Sequence, residues 1–208
     1  MRSPLRSTEL GRFLRRLPLA VLIAAGLWYA LRRPYNVALC WAAEQVARQT
    51  EFPRAATVQA DGDYAILGRT DLRADSGRLR QSLTQIQFNF IPFLALVLAL
   101  PGALARGGWK QLAYALPLLM LAHLLALLLH LKCFYAFSLG EWSQVHYSSL
   151  GRNVYGGLRY FFDLPVTFCL PLLLWVGAFP RQVSGLVRLE ESLPAAPAPP
   201  RGEAGGSR

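Results

Sequence analysis

The run MLAHLLALLLHLKCF, Met120 to Phe134, places His123, His130, Lys132 and Cys133 in otherwise apolar surroundings. Imidazole can carry a proton or ligate a metal, and a thiolate can attack a carbonyl carbon. Seven positions separate the two histidines. On a helix they share a face but sit ~10.5 Å apart along the axis, too far to close around one metal ion. Each could be an axial ligand of a different haem, yet each haem commonly takes a second ligand from another helix, and no other span contains a histidine. His130 and Cys133 are one helical turn apart, the first requirement of a nucleophile and its base. No third orienting group and no oxyanion site stand beside them.

The ordinary role for His123, in the middle of the run, is a hydrogen bond across a helix bundle, with a partner such as Thr167. Lys132 and His130, near its end, can reach headgroups. Cys40, Cys133 and Cys169 are far apart and lack metal-ligand spacing, so they read as reduced and buried. No catalytic residue, metal site or cofactor is assigned.

A second group lies in SLGEWSQVHYSSLGRNVYGGLRYFF, Ser138 to Phe162. Glu141, His146, Arg152, Asn153, Tyr155 and Arg159 are the candidate partner- or lipid-binding residues, and His123, His130 and Cys133 are the intramembrane polar candidates. Two arginines can hold phosphates in a way that lysine cannot reproduce. Arg152 and Arg159 would share a face if the segment were helical, although Gly156-Gly157 favours an irregular turn at least as much. The plainer alternative is an aromatic belt with anchoring arginines.

The elements that must position these residues follow from composition. Of 208 residues, 53% are hydrophobic and 16% charged, with the apolar residues in long runs, which places the chain in a membrane. The net charge of +10 is spread beside those runs and not gathered into one stripe, so nucleic acid is not an expected partner. The N-terminal MRSPLRSTELGRFLRR precedes an apolar run without a small-x-small cleavage site, and is expected to lead an uncleaved first span. TVQADGDYAIL places Asp61-Gly62 between alternating runs, as in a hairpin, and TQIQFNF alternates again through Ile86, Phe88 and Phe90. A β segment this small must lean on the membrane portion or a partner.

The expected fold class is therefore an α-helical integral membrane protein, with about four transmembrane helices and a small extracytoplasmic β-hairpin segment between spans 1 and 2. Residues 1–16 form a basic cytoplasmic tail, 17–31 the first span and 32–54 an interfacial helix. Residues 55–89 form the small extracytoplasmic β-rich segment, and 90–179 hold spans 2 to 4, with an outer loop at 138–162. In the third span, Pro117 is expected to introduce a kink. Residues 180–208 form a tail, disordered from about 193. Basic residues in the N-tail and in RGGWK put both termini in the cytoplasm, N-in and C-in.

The arginine-rich first span ending in LWYAL, the short β segment, and QFNFIPFLALVLALP leading into closely spaced further spans resemble the small exosortase-H-associated membrane proteins of Gram-negative bacteria. The resemblance runs over roughly Leu17 to Phe179. It implies a multipass protein of the bacterial cytoplasmic (inner) membrane, accessory to a system that processes C-terminal sorting signals. The implied partners are the lipid bilayer and a membrane protein such as an exosortase, with no established catalytic residues. The sorting enzyme itself is a Cys/Arg/His transpeptidase-like protein, and this chain departs from it. Cys133 lacks the small-residue context of that nucleophile, and His146 and Arg152 stand in the wrong order. The reading is a noncatalytic inner-membrane accessory protein that binds a protein partner or lipid through its outer loops. The alternative is a membrane enzyme or redox subunit using intramembrane His and Cys residues.

Overall fold

The computed structural model describes residues 8–51, 53–72, 77–104 and 107–187. The start of the basic tail and the expected disordered C-terminal segment lie outside the described residues. Helix α1, Thr8–Thr50, is continuous for 43 residues and runs through both Pro18 and Pro34. No break separates the segments expected to be a span and an interfacial helix. Losing one backbone bond at a proline costs about 3 kcal/mol. Beyond Pro34 that cost is offset by burial of Leu39, Cys40, Ala43 and Ala47, whose spacing forms one helical stripe beneath a β-sheet.

The sheet contains β1 (Ala56–Asp61), β2 (Tyr64–Arg69) and β3 (Leu79–Ser82), antiparallel in that order. Asp61 pairs with Tyr64, so the hairpin turn is Gly62-Asp63, one residue beyond the expected position. Gly62 has φ +60°, the left-handed value that a turn of this hand needs at its first central residue. Ala56, Val58, Ala65 and Leu67 point to one face and are buried against α1 and the later helices. The outer edge of β1 is closed by α1. Val58 N–H donates to Glu44 Oε2 at 3.0 Å, and Arg48 Nε donates to the Ala56 carbonyl at 3.0 Å.

The expected strand through TQIQFNF is helical instead. Ser82 ends β3 and caps α2 (Leu83–Gln87), its hydroxyl accepting from Gln85 N–H at 3.4 Å. Ile86 and Phe90 are four residues apart, a spacing that fits a helix as well as a strand. Burial of Leu83, Ile86 and Gln87 on one side, with Phe88 51% exposed, follows the helical period. Helix α3, Phe90–Ala99, follows with only ten residues. Its ~15 Å length is about half the thickness of a hydrocarbon core.

Helix α4 is Gly108–Phe137, continuous through Pro117. The expected outer loop is largely helical, with α5 at Glu141–His146 and α6 at Ser149–Phe161. A π-helical turn at Phe162–Val166 joins α6 to α7 (Thr167–Ala178), and α8 is Pro180–Val187. Three helical stretches are long and apolar enough to cross a membrane, namely Leu10–Thr50, Gly108–Phe137 and Ser149–Ala178. The expected second span is the shorter apolar stretch Leu83–Ala99. Phe13, Leu100, Leu112, Phe179 and Val183 pack together at one end of the bundle. The sheet packs at the other, against Leu127, Leu131 and Tyr135.

Candidate functional site

Helix α6 has its amphipathic character turned outward. Leu150, Val154, Leu158 and Phe161 share one face and are all exposed. Half-buried Arg152, Tyr155, Gly156 and Arg159 occupy the opposite face, toward α4. A Cβ added to Gly156 would meet the Phe137 ring at 3.6 Å, so the helices approach closely here. Gly156-Gly157 continues the helix and does not form the irregular turn anticipated from the sequence.

Arg152, Asn153, Arg159 and Tyr160 line a cavity of about 500 Å³ with Cys133 and Phe137 of α4, Ser138 just after it and Leu79 of β3. Among the described residues, no carboxylate forms an ion pair with Arg152. Arg159 Nε is 3.4 Å from Asp163 Oδ2. The cavity therefore combines two guanidiniums with aromatic walls, a setting for an anion attached to an apolar body.

Asp163 is held in place by the π-turn. Pro165 has no N–H to continue the α-helical ladder, and the wider turn is bridged by the Thr167 hydroxyl, which donates to the Phe162 carbonyl at 2.9 Å. Thr167 is thus occupied locally and is not the partner of His123. The other Asp163 oxygen is 3.4 Å from His130 Nε2, a separation without hydrogen-bond geometry, while His130 Nδ1 donates to the Ala126 carbonyl at 2.9 Å. His130 is fully buried behind α6 and does not reach headgroups. Cys133, one turn on, donates from Sγ to the Tyr155 carbonyl at 3.2 Å. Cys40 and Cys133 are buried and free; Cys169 is also free but faces outward, contrary to the expectation that all three would be buried.

His123 belongs to a separate network. Its Nδ1 lies 2.6 Å from the Tyr35 hydroxyl and its Nε2 lies 2.5 Å from Asn89 Oδ1. Gln87 Nε2 donates to Asn36 Oδ1 at 2.8 Å, and Asn36 donates to the Gly62 carbonyl at 2.8 Å. This polar layer ties α1, α4 and the junction between α2 and α3 to the hairpin turn. Both imidazole nitrogens are engaged, which leaves neither for a metal. No group of three or more metal-binding side chains occurs among the described residues.

Glu141 and His146 lie on α5, away from the cavity. His146 stacks on Trp142 with ring centroids 4.2 Å apart and Nδ1 2.8 Å from the Trp142 carbonyl. Trp142 in turn covers Arg69, whose guanidinium sits 4.4 Å from that ring and 5.0 Å from Tyr135. Arg69 binds Asp71 through two contacts of 2.9 and 2.8 Å, and lies 3.3 Å from Glu51. Glu51 also pairs with Lys132 at 2.5 Å, so Lys132 braces the sheet rather than snorkelling alone. The Arg69 hydrogen bonds hold the Asp71 carboxyl below the usual carboxylate range and raise Arg69 further. Burial pushes the Tyr147 hydroxyl up to about 12. Apart from Asp71, nothing in the local sequence around Arg69 marked it as a keystone, because Glu51, Tyr135 and Trp142 are distant along the chain.

The geometry therefore separates the sequence-derived candidates. Arg152, Asn153, Arg159 and Cys133 meet at one cavity, the Tyr155 carbonyl accepts from Cys133, and His130 lies 3.4 Å from Asp163. Glu141, His146 and His123 stand apart. A family model described as exosortase H-associated membrane protein matches residues 7–182, most of the chain. No curated protein and no solved structure matches.

Proposed function

We propose, because this chain belongs to the exosortase H-associated membrane protein family, that it is a noncatalytic accessory protein recognising an anionic group through the cavity between α4 and α6. The observation that carries the reading is the orientation of α6. The outward face of Leu150, Val154, Leu158 and Phe161 suits lipid, as in any anchoring helix, but an anchoring helix turns its arginines to water or headgroups, whereas Arg152 and Arg159 of α6 line the cavity against α4. Guanidiniums facing a cavity are placed to bind. The anion belongs to a membrane protein partner such as an exosortase, or to lipid.

The proposed location is the bacterial inner membrane, with the sheet and cavity on the extracytoplasmic side. Arg12, Arg15 and Arg16 of α1, Lys110 at the start of α4 and Arg181 of α8 all belong to the end remote from the sheet, which supports N-in and C-in under the positive-inside rule. In this arrangement the chain passes four times, the second pass being made by the short α2 and α3 supported by their neighbours. The alternative reading as a membrane enzyme draws on Cys133, which lines the same cavity, and on His130, one helical turn away on α4. Cys133→Ser with unchanged sorting in cells favours the accessory role, and loss of sorting with normal protein abundance favours the enzyme.

The direct test is a photocrosslinker at Asn153, in cells that co-express the exosortase. A crosslink to exosortase that Arg152→Glu removes, at unchanged abundance, is expected. Equal crosslinking from Asn153 and from Tyr114, an outward-facing residue far along α4, would mean the cavity is not the recognition site.

A further inference from the structure

We infer that the anion held by Arg152 and Arg159 is the phosphodiester of a membrane phospholipid. This rests on the reading of the cavity as an anion site and adds the class of ligand. The helical run Ser149–Ala178 has 30 residues. Its ~45 Å length exceeds the ~30 Å of a hydrocarbon core. No charged residue occurs from Leu164 to Ala178, whereas Arg152, Arg159 and Asp163 all precede it, so the surplus length is the end carrying the two arginines. That end projects to the level of lipid phosphates.

The surroundings also fit an amphiphile. Tyr160 lines the cavity yet is largely exposed, and with its exposed neighbour Phe161 it carries the rim outward toward the apolar surface of α7, which offers a path for acyl chains. Phe137 and Tyr160 form apolar walls between that path and the guanidiniums. A Cβ at Gly157 would meet nothing within 4 Å, so the mouth is open at the point where the chains must leave. Charge selects among phosphates. Arg152 has no ion-pair partner among the described residues, and Arg159 shares its charge with Asp163. The lining thus carries one uncompensated positive charge, matching a monoanionic phosphodiester better than a dianionic phosphate monoester.

The test uses the full-length protein in phosphatidylcholine nanodiscs that contain a minor fraction of phosphatidylglycerol with a photoactivatable group beside its phosphate. Labelling is expected at Phe137 to Ser138 and at Gly157 to Tyr160. It should fall about tenfold in an Arg152→Gln/Arg159→Gln variant, the loss expected for charge-assisted contacts, and persist in Arg54→Gln, an exposed position between α1 and β1. Excess inorganic phosphate should not compete. Competition by phosphate would make the site one for a free anion, and equal labelling by a photoactivatable diacylglycerol would make it an apolar annulus; either overturns the inference. Unchanged labelling in a double variant with wild-type melting also overturns it. If the double variant does not fold, phosphate competition on the wild type and labelling of Arg152→Lys, expected to be reduced, decide the matter. Loss of the exosortase crosslink in Arg152→Glu with lipid labelling intact would overturn the lipid alone. Loss of neither would overturn both readings.

Discussion

The Tyr35 hydroxyl lies 2.6 Å from His123 Nδ1, joining α1 to α4 across 88 residues of sequence. With Nε2–H donating to Asn89 Oδ1, Nδ1 is left as the acceptor for the tyrosine proton. The imidazole is a neutral three-way joint between helices.

Replacing that joint should cost stability without abolishing function. His123→Leu leaves the Tyr35 hydroxyl and the Asn89 side chain buried without partners, a loss of about 1–3 kcal/mol. His123→Gln, which keeps a donor and an acceptor, should lose less. Thermal unfolding of both variants in detergent checks the order, and combining His123→Leu with Tyr35→Phe should cost less than the sum of the single changes. Additive losses would mean that the pair is not coupled.

Arg69 is the second structural joint, its side chain only 3% exposed between Tyr135 and Trp142. Arg69→Met removes the cation from Asp71 and leaves Glu51 with Lys132 alone, and losing hydrogen bonds to charged groups costs about 1.5–3 kcal/mol. Limited proteolysis within residues 55–72 should accelerate in this variant. Arg69→Lys keeps the charge but not the two-point contact with Asp71, and should fall between Met and wild type.

The same pair sets an acid limit. Because Arg69 depresses the folded-state pKa of Asp71, this contribution to stability is present above the ordinary carboxylate range and is lost as pH falls through the depressed folded value. Protection of the sheet against proteolysis by an acid-tolerant protease should therefore decline as pH falls below ~4. Asp71→Asn should be less protected near neutrality and lose less on acidification. Parallel pH profiles for the two proteins would remove Asp71 from the account.

Topology can be checked with reporter fusions placed at Gly62 and after Ser184. Gly62 is the turn of the sheet, and Ser184 lies on α8 at the opposite end of the bundle. The Gly62 fusion should report outside and the Ser184 fusion inside. The same side for both would eliminate the four-pass arrangement, and a reversed pair would invert the orientation.

The membrane character was legible because apolar residues are clustered along the chain, and insertion depends on such local runs. The hairpin was legible to within one residue, since Gly62 is where a tight turn requires positive φ. The family was legible as an order of elements, and residues 7–182 match its model. TQIQFNF was misread because Ile86, Phe88 and Phe90 satisfy a period of two, while Ile86 and Phe90 also satisfy a helical spacing of four. The Ser82 cap and the packing of Leu83 decided between them. The continuity of α1 past Pro34 was not legible for a related reason: the burial of Ala43 and Ala47 that carries the helix onward comes from a sheet that is distant in sequence.

The sequence by itself determined that the chain lives in a membrane, where its hairpin turns to within one residue, and that Arg152 and Arg159 would share a face if helical. Only the tertiary structure decided that this face looks inward. Helical periodicity specifies which residues lie together, but not which side of the helix meets the protein. That choice depends on Phe137 packing beside Gly156, on the π-turn at Pro165 and on Asp163 lying between Arg159 and His130. These contacts form only when α4 and α6 are side by side.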